Sequence, residues 1–282
     1  MVKMIQKSYS ETPSLYLIPT PIGNMEDITL RAIHTLENVD YILSEDTRVT
    51  AQLLKHLHIS KKLVSCHEHN EENIKEKILL DVKSGKNIGL VTDRGTPIIS
   101  DPGYKIVRYL IENGIPVISL PGPTAFVPAL TSSGIDPSSF LFYGFLNAKA
   151  AKRKEELESL KNVQYTIIFY EAVHRIQKTL QDILRIFGDR KISVSREISK
   201  LYEEIYRGKI SEVLKELDVI KGEFVLVVEG ASALKDFSDL DLFSHVQIYL
   251  RDGLSEMDAI KKVAKDRKLP KAEIYKAYHT RK

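Results

Sequence analysis

A chain of 282 residues, 43% hydrophobic and 28% charged, has the composition of a globular protein with room for about two domains, which excludes disorder over most of its length. The lone Cys66 excludes an intramolecular disulfide framework and a thiolate metal site, and fits a buried structural residue in a reducing cytosol. A net charge of +3 at pH 7 is too small to announce a nucleic-acid partner, although charge can be unevenly spread along a nearly neutral chain.

The N-terminal tail, 1–13, is polar and lacks the apolar core of a signal peptide, and no run approaches the roughly 20 apolar residues that span a bilayer. A cytoplasmic protein with no membrane contact is the expectation. From residue 14 short β-branched or aromatic runs alternate with stretches of helical period, the pattern of βα units around a mainly parallel sheet. Strands are predicted at Leu15–Ile18, Tyr41–Ser44, Leu63–His67, Ile88–Thr92 and Pro116–Leu120, with helices near 27–37, 48–57, 71–83 and 103–112. Gly85 and Gly114 follow helical stretches, where a left-handed cap costs least without a Cβ. Asp27 is the predicted N-cap of the first helix.

Leu120-Pro121-Gly122-Pro123-Thr124 is a break that no helix or central strand survives, so an N-terminal α/β domain is placed at 14–120 and a second at 121–230, with Thr124 as an N-cap candidate. In the second, strands are predicted at Phe140–Phe145, Tyr165–Tyr170, Ile192–Ser195, Glu204–Arg207 and Phe224–Glu229, and helices near 124–132, 150–161, 174–187 and 211–217. The short link between 192–195 and 204–207 leaves no room for a crossover helix, so that pair should be antiparallel. Two α/β domains create a cleft between them, a common ligand position.

After Gly230 the strands stop. The stretch 231–250, SEMDAIKKVAKDRK and PKAEIYKAYHTRK read as short helices, a helical appendage at 231–282. Ala259, Ile260, Val263 and Ala264, then Ala272, Ile274 and Tyr275, give apolar faces on both sides of Leu269-Pro270, suiting a helix-turn-helix. Residues 259–282 hold nine Lys or Arg against two acids. Lys261, Lys262 and Lys265 are candidate phosphate contacts; an ordinary solvated surface has the same composition.

Two loops carry the strongest ligand signal. Ile18-Pro19-Thr20-Pro21-Ile22-Gly23-Asn24 leaves the first strand, at the edge where open α/β sheets bind ligands. It is not GxGxxG, which disfavours a nicotinamide dinucleotide. Thr92–Gly103 holds two glycines and two prolines in twelve residues, a fixed loop that exposes backbone groups. No Lys stands as in a Walker A loop, which disfavours a triphosphate.

Together PTPIGNMEDITLRA, EDTR at 45–48, GTPIISDPGY, PGPTA at 121–125, FYEAVHR at 169–175 and KGEFVLVVEG at 221–230 resemble the tetrapyrrole methylase superfamily, and within it the ribosomal RNA small subunit methyltransferase I branch. The resemblance covers about residues 14–230 and implies an α/β fold of two tetrapyrrole-methylase-type domains with the cofactor cleft between them. It also implies a homodimer, S-adenosylmethionine as cofactor, and methyl transfer to the ribose 2'-hydroxyl of a cytidine in the decoding region of 16S rRNA, free or in the small ribosomal subunit. Carried over by motif, the cofactor would meet Ile22, Gly23, Asp93, Gly95, Thr96, Pro97, Ile98, Thr124, Ala125, Tyr170 and Gly222. Asp93 either accepts a hydrogen bond from the cofactor or caps its own turn. The sequence departs from the family pattern at Arg94, where a small residue is usual, and at Ala172-Val173, which replaces Ser-Pro.

A sulfonium methyl is already electrophilic, so the enzyme's main work is alignment of the acceptor, aided by a group that takes the hydroxyl proton. Charged clusters at strand ends supply candidates: Glu45 or Glu171 as proton acceptor, and Arg48, Arg175 and Arg196 as bidentate phosphate contacts. Each cluster reads equally as an ion-pair network. His67-Glu68-His69 would share a strand face, but two imidazoles do not make a metal site, and none is expected. Two rival readings are a methyltransferase acting on a tetrapyrrole and a helix-turn-helix nucleic-acid-binding regulator.

Overall fold

A computed structural model describes residues 6–8, 11–217, 221–232 and 240–281. They divide into two compact units, one ending at Ala231 and one beginning at Ser232. Both sheets belong to the first unit. Parts of the predicted N-terminal tail (1–5, 9, 10) and of the first appendage helix (233–239) lie outside the described residues.

The first half alternates strand and helix: β1 Leu15–Leu17, α1 Leu30–Asn38, β2 Tyr41–Ser44, α2 Thr47–His56, β3 Lys62–Ser65, α3 Glu71–Lys83, β4 Ile88–Val91, α4 Tyr104–Glu112 and β5 Val117–Ser119. The strands pair in the order β3-β2-β4-β1-β5, all parallel. β2 and β4 are buried along their whole length, as expected for strands covered on both faces by helices. One core holds Leu15, Leu43, Ile78, Leu90, Ile106 and Leu110, the other Ile18, Ala32, Leu36, Ile42, Val91 and Ile118.

The helix ends follow local chemistry, with one correction. Thr29, not Asp27, caps α1, its Oγ1 accepting from Ala32 N at 3.0 Å. Asp27 instead closes a single 3-10 turn, Met25–Asp27, capped by Asn24. Gly85 and Gly114 take φ of 103° and 75°, the left-handed cap expected of them. β3 ends at Ser65, so His67 and His69 sit in the loop beyond it and not on a shared strand face; their rings are edge-to-face, 6.0 Å apart.

The Pro121-Gly122-Pro123 break leads into α5 Phe126–Ser132, β6 Phe140–Phe145, α6 Ala150–Leu160, β7 Thr166–Ala172, α7 Ile176–Phe187, β8 Lys191–Arg196, β9 Glu204–Lys209, α8 Ile210–Glu216 and β10 Glu223–Val228. Ala125 stands at the N-cap of α5 and makes no side-chain cap; Thr124, one residue earlier, faces the cleft described below. The sheet order is β6-β7-β10-β8-β9, parallel only between β6 and β7. The β8–β9 pair is antiparallel, as the short link requires.

The second unit contains α9 Leu242–Arg251, α10 Glu256–Arg267 and α11 Lys271–Thr280 around a core of Val246, Ala259, Ile260, Val263, Ile274 and Tyr278. Lys268, at φ 54°, turns the chain between α10 and α11. Tyr278 takes the buried place predicted for Tyr275, which is exposed, as is Ala272. No helix among the described residues is long and apolar enough to cross a membrane.

Candidate active site

The loops after β1, β2, β4 and β5 converge at the carboxyl ends of the parallel strands. Two of them are stitched together: Thr20 N donates to Gly95 O at 2.9 Å, Gly95 N returns to Thr20 O at 3.0 Å, and Thr20 Oγ1 donates to Thr92 O at 3.1 Å. Thr96 Oγ1 donates to Pro123 O at 2.9 Å and ties in the loop after β5. Gly95 has φ 85°, and a Cβ there would meet Ile22 at 3.2 Å. The same loop holds Ile98 at φ 76° and Ser100 at φ 68°, a left-handed backbone that is strained for a β-branched residue. The Ile98 side chain packs against the first core, which offsets part of that strain.

These loops and the facing edge of the second sheet enclose a cavity of about 540 Å³, within the usual size of a small-molecule site. Ile22, Val49, Ile99, Ala125, Phe145 and Ile198 give it apolar walls. Tyr170 stands against Phe142 and Phe145, with ring centroids at 5.0 and 5.6 Å. Burial raises its phenol above the ordinary range.

Of the five carboxylates on the cavity wall, Glu45, Asp93 and Asp101 come from the first sheet's loops, and Glu171 and Glu223 from the second sheet. Burial, reinforced by the charges of Glu45 and Asp93, pushes Asp101 up to about 7. Burial also raises Asp93, helped by Glu45 and Asp46, although Asp46 N donates to its Oδ1 at 3.0 Å. Thr92 Oγ1 donates to Glu45 Oε2 at 2.8 Å. Crowded carboxylates in a partly dehydrated cleft favour a cationic ligand, which relieves their mutual repulsion.

A chain of ion pairs crosses the mouth. Arg94 Nη1 lies 2.8 Å from Glu223 Oε1, and Lys200 Nζ lies 2.8 Å from both Glu223 Oε2 and Glu197 Oε1. Arg94, the departure from the family pattern, thus spans from the loop after β4 to the start of β10.

Of the predicted cofactor residues, Ile22, Asp93, Gly95, Thr96, Thr124, Ala125 and Tyr170 line the cavity. Four lie outside its lining. Gly23 is exposed and packs on Lys200, Pro97 is buried in the loop, Ile98 points into the core, and Gly222, at φ 101°, packs on Glu197. Asp93 neither caps its own turn nor stands free, since it holds the backbone of the loop after β2.

Glu45 and Glu171 both border the cavity, in different states. The Glu171 side chain is 0% exposed; Oε1 accepts from Ala172 N at 2.7 Å and from Arg175 Nε, and Oε2 from Thr179 Oγ1 at 2.5 Å. Arg175 is therefore committed to Glu171. Arg196 is buried, giving Nε to Lys221 O at 2.6 Å and Nη1 to Glu204 at 2.8 Å. Arg48 is 87% exposed and folds back onto its own N-cap, Asp46. Lys261, Lys262 and Lys265 lie on the exposed face of α10, Lys261 paired with Asp258 at 2.9 Å. No three metal-ligating side chains converge among the described residues.

Asp101 escaped the sequence reading, as did Val49, Ser100, Phe145 and Glu223. The available signal was an acidic residue inside the same Gly/Pro loop; the approach of Glu45 and Asp93 to it is a tertiary fact.

Residues 14–214 match the model of the tetrapyrrole (corrin/porphyrin) methylases. The chain is 50% identical to ribosomal RNA small subunit methyltransferase I of Bacillus subtilis strain 168, over 96% of this chain and 95% of that one. It is 45% identical to the protein of that name from Halalkalibacterium halodurans, over 97% and 98%. A solved uroporphyrin-III C-methyltransferase from Thermus thermophilus, in complex with S-adenyl homocysteine, superposes with a TM-score of 0.56 at 21% identity, covering 77% of this chain and 97% of that one. The last likeness is one of fold.

Proposed function

This chain belongs to the tetrapyrrole methylase family, in its ribosomal RNA small subunit methyltransferase I branch, and on that premise we propose that it transfers a methyl group from S-adenosylmethionine to the ribose 2'-hydroxyl of a cytidine in the decoding region of 16S rRNA. The observation that carries this reading is identity of 50% over 96% of the chain, a match that runs past the α/β unit into the helical one. The likeness to a tetrapyrrole enzyme spans 77% of the chain at 21% identity, so an RNA acceptor is preferred to a tetrapyrrole.

The cavity suits the donor on its own chemistry. S-adenosylmethionine carries sulfonium and ammonium charges, which Asp93, Asp101 and Glu45 complement, while Ile22, Ala125 and the ring of Tyr170 offer apolar surface to the adenosine. Gly95 lets backbone come close where a side chain would intrude. When bound, the cofactor supplies an activated methyl group. The protein's own residues align the acceptor and exclude water, which is where most of the rate gain of such a reaction arises. Lys261, Lys262 and Lys265 contact RNA phosphates in this reading, with Arg48. Leu201 and Tyr202, apolar yet exposed on the loop after β8, suit the interface of a homodimer. Work on ribosomal RNA implies a cytoplasmic protein.

The test is transfer of radiolabelled methyl to small ribosomal subunits that lack their 2'-O-methyl marks, followed by nuclease mapping. Label on one cytidine ribose is expected. Tight cofactor binding with no label on subunits or free rRNA would overturn the RNA assignment and leave the fold family untouched.

A further inference from the structure

Among the described residues that line the cofactor cavity, Arg94 is the one Lys, Arg or His, set against five carboxylates. That balance suits the sulfonium and ammonium charges of S-adenosylmethionine and leaves its α-carboxylate as the misfit. An anion brought next to these acids is repelled unless it lies against the guanidinium.

Other donors nearby are already engaged. Thr20 N and Gly95 N bond to each other's carbonyls across the two loops, and Asp46 N is held by Asp93 Oδ1. Lys200, the second cation at the mouth, is shared between Glu197 and Glu223 and stands outside the lining. Arg94 is different. Its Nη1 donates to Glu223 Oε1 at 2.8 Å, and that bond leaves the Nε–Nη2 edge without a hydrogen bond among the described residues. Two parallel N–H groups on one edge match the two oxygens of a carboxylate.

A zwitterionic amino-acid group needs an acid beside the base, for its ammonium. Asp93 precedes Arg94 in the loop after β4 and lines the same cavity. Burial raises the Asp93 carboxyl, and the charge of Arg94 is one of the influences that hold it down, so the two side chains act on each other. With Oδ1 given to Asp46 N, Asp93 Oδ2 is left for the ammonium. Position 94 is also where the sequence departs from the family pattern, which makes such an anchor particular to this chain.

Resting on the reading of this cavity as the methyl-donor site, we propose that Arg94 binds the α-carboxylate of S-adenosylmethionine, with Asp93 receiving the neighbouring ammonium, and so selects a donor with an intact amino-acid group. Arg94 is a specificity residue in this arrangement: it recognises the far end of the donor and leaves the methyl group to the rest of the wall. Glu223 holds the guanidinium at the mouth before the cofactor enters.

The experiment is calorimetric titration of the full-length protein with S-adenosylmethionine and with its decarboxylated counterpart, which keeps the sulfonium, the ammonium and the adenosine. The readout is the ratio of the two dissociation constants. The Arg94 side chain is half exposed, so solvent screens its contacts, and Arg94→Ala should move that ratio about fivefold against S-adenosylmethionine. Arg94→Gln, which keeps most of the side chain's length without its charge, should move it in the same direction. An unchanged ratio in either variant overturns the proposal even where both ligands bind more weakly, because a purely structural role would shift the two together. Wild-type protein that binds neither ligand overturns the reading of the cavity as well.

Discussion

Arg94 and Glu223 join the two sheets across the mouth of the cofactor cavity, guanidinium to carboxylate at 2.8 Å. Both side chains are more than half exposed, so solvent and salt screen the pair, and its strength is at most about 1 kcal/mol. Arg94→Ala should therefore barely change the melting temperature. It should raise the cofactor dissociation constant a fewfold, with the difference disappearing as salt rises. A double-mutant cycle with Glu223→Ala in cofactor titrations checks it, and equal losses at low and high salt would refute a screened ion pair.

Glu171 sits in the opposite environment. Its carboxylate is fully buried and shared by Arg175, Thr179 and the backbone of Ala172. Removing it strands a guanidinium that is itself 13% exposed, and breaking such a pair costs about 3–5 kcal/mol. Glu171→Ala should shift the denaturant midpoint strongly downward while the folded fraction keeps its single-turnover rate. A large rate loss without a stability loss would make Glu171 a chemical group.

Gly122 marks where two cofactor loops touch. A Cβ at that position would fall 2.5 Å from Pro19 Cβ and 2.8 Å from its Cγ, and a proline ring cannot swing aside. Gly122→Ala should cost about 1–3 kcal/mol by forced displacement, read as a lower melting temperature with weaker cofactor binding. An unchanged melt would show that the loops tolerate separation.

The lysines of α10 give a different kind of test. Replacing Lys261, Lys262 and Lys265 with Glu should weaken RNA binding and flatten its dependence on salt, since each lost phosphate contact removes about 0.7 from the logarithmic salt slope on single strands. The helical core, built from Ile260, Val263 and Ile274 on the opposite face, should stay folded by circular dichroism. Identical slopes for both proteins would reduce this face to a solvated surface.

The strands were readable because β-branched runs between glycines and prolines leave few alternatives. The all-parallel first sheet follows from crossover helices too long to be turns. What local sequence could not decide was competition between near neighbours: Asn24, Asp27 and Thr29 are all capping residues, and only the path of the chain gives α1 to Thr29. Tyr275 and Tyr278 lie one helical turn apart, and packing chose the second. At the site, the family resemblance pointed to seven residues of the cavity wall, and the charged clusters at strand ends to two more, Glu45 and Glu171. Arg175 and Arg196 looked like phosphate ligands because sequence shows charge but not exposure, and both are buried against partners. Asp101 was invisible for the converse reason, since its perturbation comes first from burial and then from the charges of Glu45 and Asp93, all of which only folding produces.

The left-handed Ile98 ties heat tolerance to activity at one position. Glycine there would relax the backbone but surrender the side chain's grip on the core, and another β-branched residue would keep the strain. No single replacement improves both, so variants selected for thermal endurance should gather their changes elsewhere and leave this turn as inherited.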